Sequence, residues 1–76
     1  MQSKQKQVAI SLGLSIRYAR RKAKKTQYVL SEELLAGKNY IGDIETGVAL
    51  PSIIRLQEIS IACNTTMSQI MFDAKL

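Results

Sequence analysis

The apolar residues of this chain recur at steps of three and four, in short pieces separated by breaks. That pattern restricts the fold to short helices packed on one another. Leu12, Ile16, Ala19 and Ala23 make the first stretch, a helix expected from about Gln7 to Lys24. Arg17, Arg21 and Lys24 fall on its other faces, and Gly13 is a weak point costing about 1 kcal/mol against alanine. Thr26 can cap a second helix, Gln27 to about Leu34, with Leu30 and Leu34 turned inward. Leu35-Ala-Gly37 breaks the pattern, the glycine supplying permissive backbone. A third helix is expected from Lys38 to about Thr46, burying Ile41 and Ile44 and ending at Gly47 in a left-handed cap. Pro51-Ser52 opens a fourth, with Ile53, Leu56, Ile59 or Ser60, and Cys63 on its buried side. After a turn at Asn64-Thr65, the capping box Thr66-Met-Ser-Gln69 starts a fifth helix, Met67 to about Asp73. No segment reads as a strand. The expected fold is therefore all-α, a compact five-helix domain with a helix-turn-helix made by its second and third helices.

Seventy-six residues make one domain, 1–76, with a core expected over about 8–73 and residues 1–6 flexible. A core this small gains from a second copy of the chain, and the apolar end of the fifth helix (Met67, Ile70, Met71, Phe72) is the expected homodimer contact. No apolar run approaches the ~20 residues that span a bilayer, and no signal-peptide h-region follows the charged start. No membrane partner is expected, and the cytoplasm is the expected location.

The residue inventory narrows the chemistry. Cys63 is the single cysteine and there is no histidine, so an intrachain disulfide is excluded and a metal site would depend on carboxylates. Cys63 itself reads as a small buried hydrophobe. Glu32, Glu33, Glu45, Glu58 and Asp73 supply carboxylates, but no paired general acid and base can be placed among them. With no phosphate loop, nucleophile elbow or metal cluster, the chain is expected not to be an enzyme and to need no cofactor and no metal.

Charge points toward polyanions. The net charge is +5, and six of the eleven basic residues are Arg17, Arg20, Arg21, Lys22, Lys24 and Lys25. Such a cluster either attracts phosphates, releasing their counterions, or is a solvated helix face. The neighbouring segment favours phosphate proximity, because the third helix has one apolar side and one polar side: Ile41 and Ile44 inward, Lys38, Asn39, Gly42, Asp43 and Thr46 outward. A helix of that kind fits the major groove of B-DNA, about 12 Å wide.

The register of these pieces resembles the phage-repressor group of helix-turn-helix proteins, the XRE family. The residues carrying the resemblance are Leu12-Gly-Leu-Ser-Ile-Arg17, Arg20, Thr26-Gln27, Leu30, Leu34, Tyr40-Ile41 and Ile44-Glu45-Thr-Gly47, then Pro51-Ser52, Leu56, Ile59, Ala62 and Met67 to Met71. They cover about Leu12 to Phe72. The resemblance implies a dimeric transcriptional regulator, a repressor or controller, binding a palindromic operator in double-stranded DNA. It implies that Gln27, at the start of the second helix, meets a phosphate or base edge, so that its loss weakens all sites evenly. Tyr28 beside it counts among the DNA-binding residues and Tyr40 borders the phosphate backbone, while Lys38 and Asn39 lead into the major groove with Asp43 and Thr46 further along that face. Arg20 and Glu45 match a pair that bridges the first and third helices as a structural ion pair.

The chain also departs from the family pattern. Leu35 stands where the sharp turn usually has glycine, so it either adopts a left-handed backbone at a cost or forces a different turn; Lys24-Lys25 replaces a Gly-Leu, and Ser31 replaces an alanine. Gly42 weakens the recognition helix and Asp43 repels phosphates. Asp43 can instead accept from cytosine N4 or discriminate by repulsion. The same two residues also fit a protein-interaction module on this fold that has lost DNA binding, an antiactivator or antitoxin-like partner.

Overall fold

The computed structural model describes residues 3–76, and among them the chain forms five α-helices and no strand. They are α1 (Ser3–Lys22), α2 (Gln27–Glu33), α3 (Tyr40–Glu45), α4 (Ile53–Ala62) and α5 (Met67–Asp73). α1 packs against α3 and α5, and α2 bridges α3 and α4. Leu12, Ile16, Leu30, Leu34, Ile41, Ile44, Leu56, Ile59, Cys63 and Ile70 form one buried cluster. Each such side chain removed from water stabilises the fold by about 1.5–3 kcal/mol. Both alternatives for the fourth helix, Ile59 and Ser60, are fully buried.

The helix starts follow the expected chemistry. Thr26, Ser52 and Thr66 have extended backbones, and their hydroxyls accept the amides of Val29, Arg55 and Gln69. The box at Thr66 is half made, because the Gln69 side chain donates forward to Asp73 Oδ1 at 2.9 Å instead of back to the cap. α1 begins at Ser3 and not at Gln7, so residues 3–6, expected as a loose arm, continue the helix with exposed side chains. The first two residues of that arm lie outside the described residues.

The helix ends share one device that sequence reading placed at Gly47 and left open at Leu35. Lys24, Leu35, Gly47, Asn64 and Lys75 all have φ between 54° and 77°. At each, the following amide returns to a carbonyl five residues back (Lys25 to Arg20, Ala36 to Ser31, Val48 to Asp43, Thr65 to Ser60, Leu76 to Met71). These are Schellman closures, in which two hydrogen bonds satisfy carbonyls that the helix end leaves open. Glycine fills the left-handed position at Gly47 alone. The turn between α2 and α3 is thus made by Leu35, at φ 54°, and not by Gly37. For the same reason α1 ends at Lys22, with Lys24 already in the turn.

Gly13, expected as a liability, is where α1 crosses the end of α3. A Cβ there would fall on the Ile44 carbonyl oxygen and within 2.8 Å of the Glu45 carbonyl oxygen. Two backbones meet at this point, and neither can move aside like a flexible side chain. Two residues further along α1, Ser15 Oγ donates to the Ile70 carbonyl at 2.7 Å and ties α1 to α5.

Two expectations about apolar residues fail. Ile53 is 75% exposed, because Pro51-Ser52 delivers α4 with Leu56 and Ile59 inward and Ile53, Ile54 and Ile61 outward. On α5, Ile70 belongs to the chain's own core, Met67 and Met71 pack against that core, and Phe72 is 76% exposed. Of the four residues expected at a dimer contact, Ile70 is therefore withdrawn from the surface.

Candidate nucleic-acid interface

α3 is held from behind by a buried carboxylate. Glu45 has no exposed side-chain surface, and Arg20 reaches it with two bonds, Nε to Oε2 at 2.6 Å and NH2 to Oε1 at 3.1 Å. Arg17 Nε adds 3.2 Å and Gln27 Nε2 adds 2.9 Å, both to Oε1. Burial pushes the Glu45 carboxyl up, but the bonds from Arg20, Gln27 and Arg17 outweigh it and hold the group below the usual carboxylate value. The Arg20 guanidinium is raised in turn, chiefly by its bond to Glu45. Arg20 also donates to the Lys25 carbonyl at 2.9 Å, so this one cluster joins α1, the turn after it, α2 and α3. The expected Arg20–Glu45 pair is present, with Arg17 and Gln27 as two further members.

The cluster revises the picture of a basic patch. Arg20 is buried, Arg17 is partly spent on Glu45, and Lys25 Nζ is spent on Glu33 at 2.8 Å and the Ala62 carbonyl at 2.7 Å. Arg21, Lys22 and Lys24 keep exposed side chains. Half of the run therefore fastens helices together, which an isolated charge count cannot reveal.

The outward side of the motif is polar and unengaged. α3 proper starts at Tyr40, so Lys38 and Asn39 stand in the turn before it and not in its first helical turn. The cause is the closure at Leu35, after which the chain needs a second turn, Tyr40 N–H to Gly37 carbonyl at 3.0 Å, to enter the helix. Asn39 occupies the cap position, yet its side chain makes no capping bond. Lys38, Asn39 and Asp43 are all exposed. Thr46 is exposed too, but its hydroxyl hydrogen is spent on the Gly42 carbonyl at 2.9 Å, leaving an acceptor and a methyl group outward. Ser31 Oγ, buried, accepts the Ile41 amide at 3.4 Å and joins the two helices of the motif where a methyl group could not.

The remaining expected residues flank this side. Tyr28 is exposed and its hydroxyl donates to Glu32 Oε2 at 2.9 Å. Tyr40 is half-buried beneath the Arg55 guanidinium, 5.3 Å from the ring centre. Burial pushes its phenol up. Arg55 NH1 also donates to the Leu34 carbonyl at 2.6 Å. Arg55, a residue of α4, was missed by sequence reading because nothing local in Ile53-Ile-Arg-Leu56 connects it with Tyr40. Gln27, expected to meet a phosphate or base edge, is part-exposed, with its amide nitrogen bound to Glu45.

A helix-turn-helix family profile matches residues 16–70, more than half of the chain and inclusive of every element of this site. The chain belongs to the helix-turn-helix family. Its members of the XRE kind are DNA-binding transcription regulators, and that class is this chain's own. In fold it is similar to the crystal structure of the clp gene regulator ClgR from C. glutamicum, with a TM-score of 0.84 and 20% identity over 90% of this chain and 88% of that one. No curated protein matches it in sequence. Among the described residues, no helix of this helix-turn-helix protein is long and apolar enough to cross a membrane.

Proposed function

We propose that this helix-turn-helix protein is a homodimeric regulator that binds a palindromic operator, with α3 and the turn before it in the major groove. The observation that carries the reading is the division of α3 and the turn that leads into it. Glu45, Ile41 and Ile44 anchor one side, while Lys38, Asn39 and Asp43 stand exposed without partners among the described residues on the other. Asn39 pairs with adenine, Lys38 with guanine or a phosphate, and Asp43 with cytosine N4. Tyr28 and Tyr40 border the backbone. Two such helices related by a dyad lie about 34 Å apart, one turn of DNA. The dimer contact assigned to α5 uses Phe72, with Met67 and Met71 at its margin. The protein acts in the cytoplasm, as repressor or controller.

The test is a salt series of mobility shifts on an inverted repeat and on scrambled DNA. Specific binding with a steep salt dependence is expected. A folded protein that ignores both duplexes at low salt refutes the reading. Sedimentation of Phe72→Glu checks the dimer: it should become monomeric, and an unchanged dimer refutes the α5 contact.

A second reading draws on the exposed isoleucines 53, 54 and 61 of α4, which suit a protein partner better than water. On that reading the fold is an interaction module that has left DNA binding behind. Ile61→Glu would then abolish its activity in the cell while leaving DNA shifts absent or unaltered.

A further inference from the structure

We propose that Gln27, a residue of α2, reads an adenine directly across the bare surface left by Gly42. This rests on the DNA-binding reading above, chooses a base edge over a phosphate for Gln27, and departs from the expectation that its loss weakens all sites more evenly than that of Asn39.

The argument begins with the side of the amide that faces inward. Glu45 Oε1 is a carboxylate oxygen already gripped by Arg20 and Arg17, and it can only accept. The group facing it at 2.9 Å must therefore be the amide nitrogen of Gln27, which fixes the orientation of the whole amide. The carbonyl oxygen is consequently the atom directed elsewhere, and it lies over α3. A Cβ on Gly42 would stand 3.3 Å from Gln27 Oε1 and 3.8 Å from its Cδ. Contact at 3.3 Å is tighter than most Cβ atoms make, so any other residue at 42 would push the amide aside by a few tenths of an ångström.

Gly42 and Asp43 are successive residues of α3, and Thr46 follows one turn after Gly42. Gly42 presents no side chain of its own, so the amide of Gln27 supplies the functional group at that level of the helix. Oε1 itself cannot meet a phosphate, because both are acceptors, so a phosphate would satisfy only the free amide hydrogen and leave Oε1 without a donor. In the major groove the donors on offer are the exocyclic amines of adenine and cytosine. Only one amide hydrogen of Gln27 is spent on Glu45. The second is available for an acceptor beside the amine, and adenine presents that pair, N6 as donor and N7 as acceptor. Adenine thus satisfies both free positions of the amide, and cytosine satisfies one. Glu45 is the positioning residue, and Gly42 the opening.

The experiment selects operators from a randomised duplex pool with the full chain, as wild type, Gln27→Ala and Gly42→Ala, each verified as folded by circular dichroism. The wild type should enrich an adenine at one position of each half-site. Gln27→Ala should lose roughly 5- to 100-fold of discrimination at that position alone, with the slope against salt unchanged. Gly42→Ala, a better helix former, should lose preference at the same position, and the double variant should lose no more than Gln27→Ala. Replacing that adenine by purine, which lacks the N6 amine, should weaken the wild type and leave Gln27→Ala indifferent. Even weakening of all sequences with a shallower salt slope would place Gln27 on a phosphate and overturn the proposal. A different base lost at the Gln27 position also overturns it. A wild type that enriches no sequence refutes DNA recognition itself, a result separable from failure of Gln27 alone.

Discussion

The two sides of α3 are built on opposite principles. Its inner side is over-determined: Ile41 and Ile44 are fully buried, Glu45 has four bonds from three side chains, and the Gly13 backbone lies directly against its last carbonyls. Its outer side, with the turn before it, is under-determined: Lys38, Asn39 and Asp43 make no side-chain bond among the described residues. A six-residue helix has almost no stability of its own, since nucleation costs more than so few hydrogen bonds return. The inner side therefore does all the holding, and the outer side is left free to vary with the sequence it must read.

That division can be broken from the inside first. Gly13→Val places atoms on the Ile44 and Glu45 carbonyls and should cost about 3 kcal/mol or more. For 76 residues the total stability is roughly 4–11 kcal/mol, so the variant should lose a large share of it and melt at least ~10 °C below wild type. A melt within a few degrees of wild type would show that α1 and α3 separate easily.

Glu45→Gln comes next. It leaves Arg20 buried without a counter-charge and should lose about 3–5 kcal/mol in urea unfolding. Because the Glu45 carboxyl is held below its ordinary value of 4.5, its contribution is complete above that pH. It is lost as pH falls through the depressed folded value. Wild-type stability should thus decline on acidification, and Glu45→Gln should show a flatter acid limb. Equal acid limbs would mean that the cluster contributes nothing on ionisation.

On the outer side the prediction inverts. Asn39→Ala should change stability by less than about 0.5 kcal/mol, yet cost about 1–3 kcal/mol in operator binding and relax one base position. A stability loss larger than the binding loss would place Asn39 on the holding side. The smallest effect concerns the turn that feeds both sides. Leu35 is 92% exposed and sits at φ 54°, so Leu35→Gly should stabilise by about 1 kcal/mol, read as a rise in melting temperature. No gain would mean that the greater freedom of glycine in the unfolded chain offsets the relief.

The residues differ in how far they could be read without coordinates. The three hydroxyl caps were legible because Thr26, Ser52 and Thr66 act within three residues of themselves. Three of the five helix ends were not, since Lys24, Asn64 and Lys75 carry no glycine to announce a left-handed backbone, and at Leu35 that backbone was one of two alternatives. Lys38 and Asn39 were read as helical for the same reason, the hidden closure at Leu35 having displaced the start of α3. Gly13 was read with the wrong sign, because helix propensity is local and the crossing it permits lies thirty residues away in sequence.

The sequence by itself determined the number and type of helices, the inward positions of Ile16, Leu30, Ile41, Ile44 and Ile59, and the family, because periodicity and capping act over a few residues. Only the tertiary structure decided which charges are spent. Arg17, Arg20 and Lys25 look equivalent to Arg21, Lys22 and Lys24 along the chain, and packing alone brings the first three to Glu45 and Glu33. It also decided that Gln27 lies over Gly42, fifteen residues on, a contact set by how α2 and α3 cross. Charge and hydrogen bonding act through space, so their outcome depends on neighbours that the order of residues does not specify.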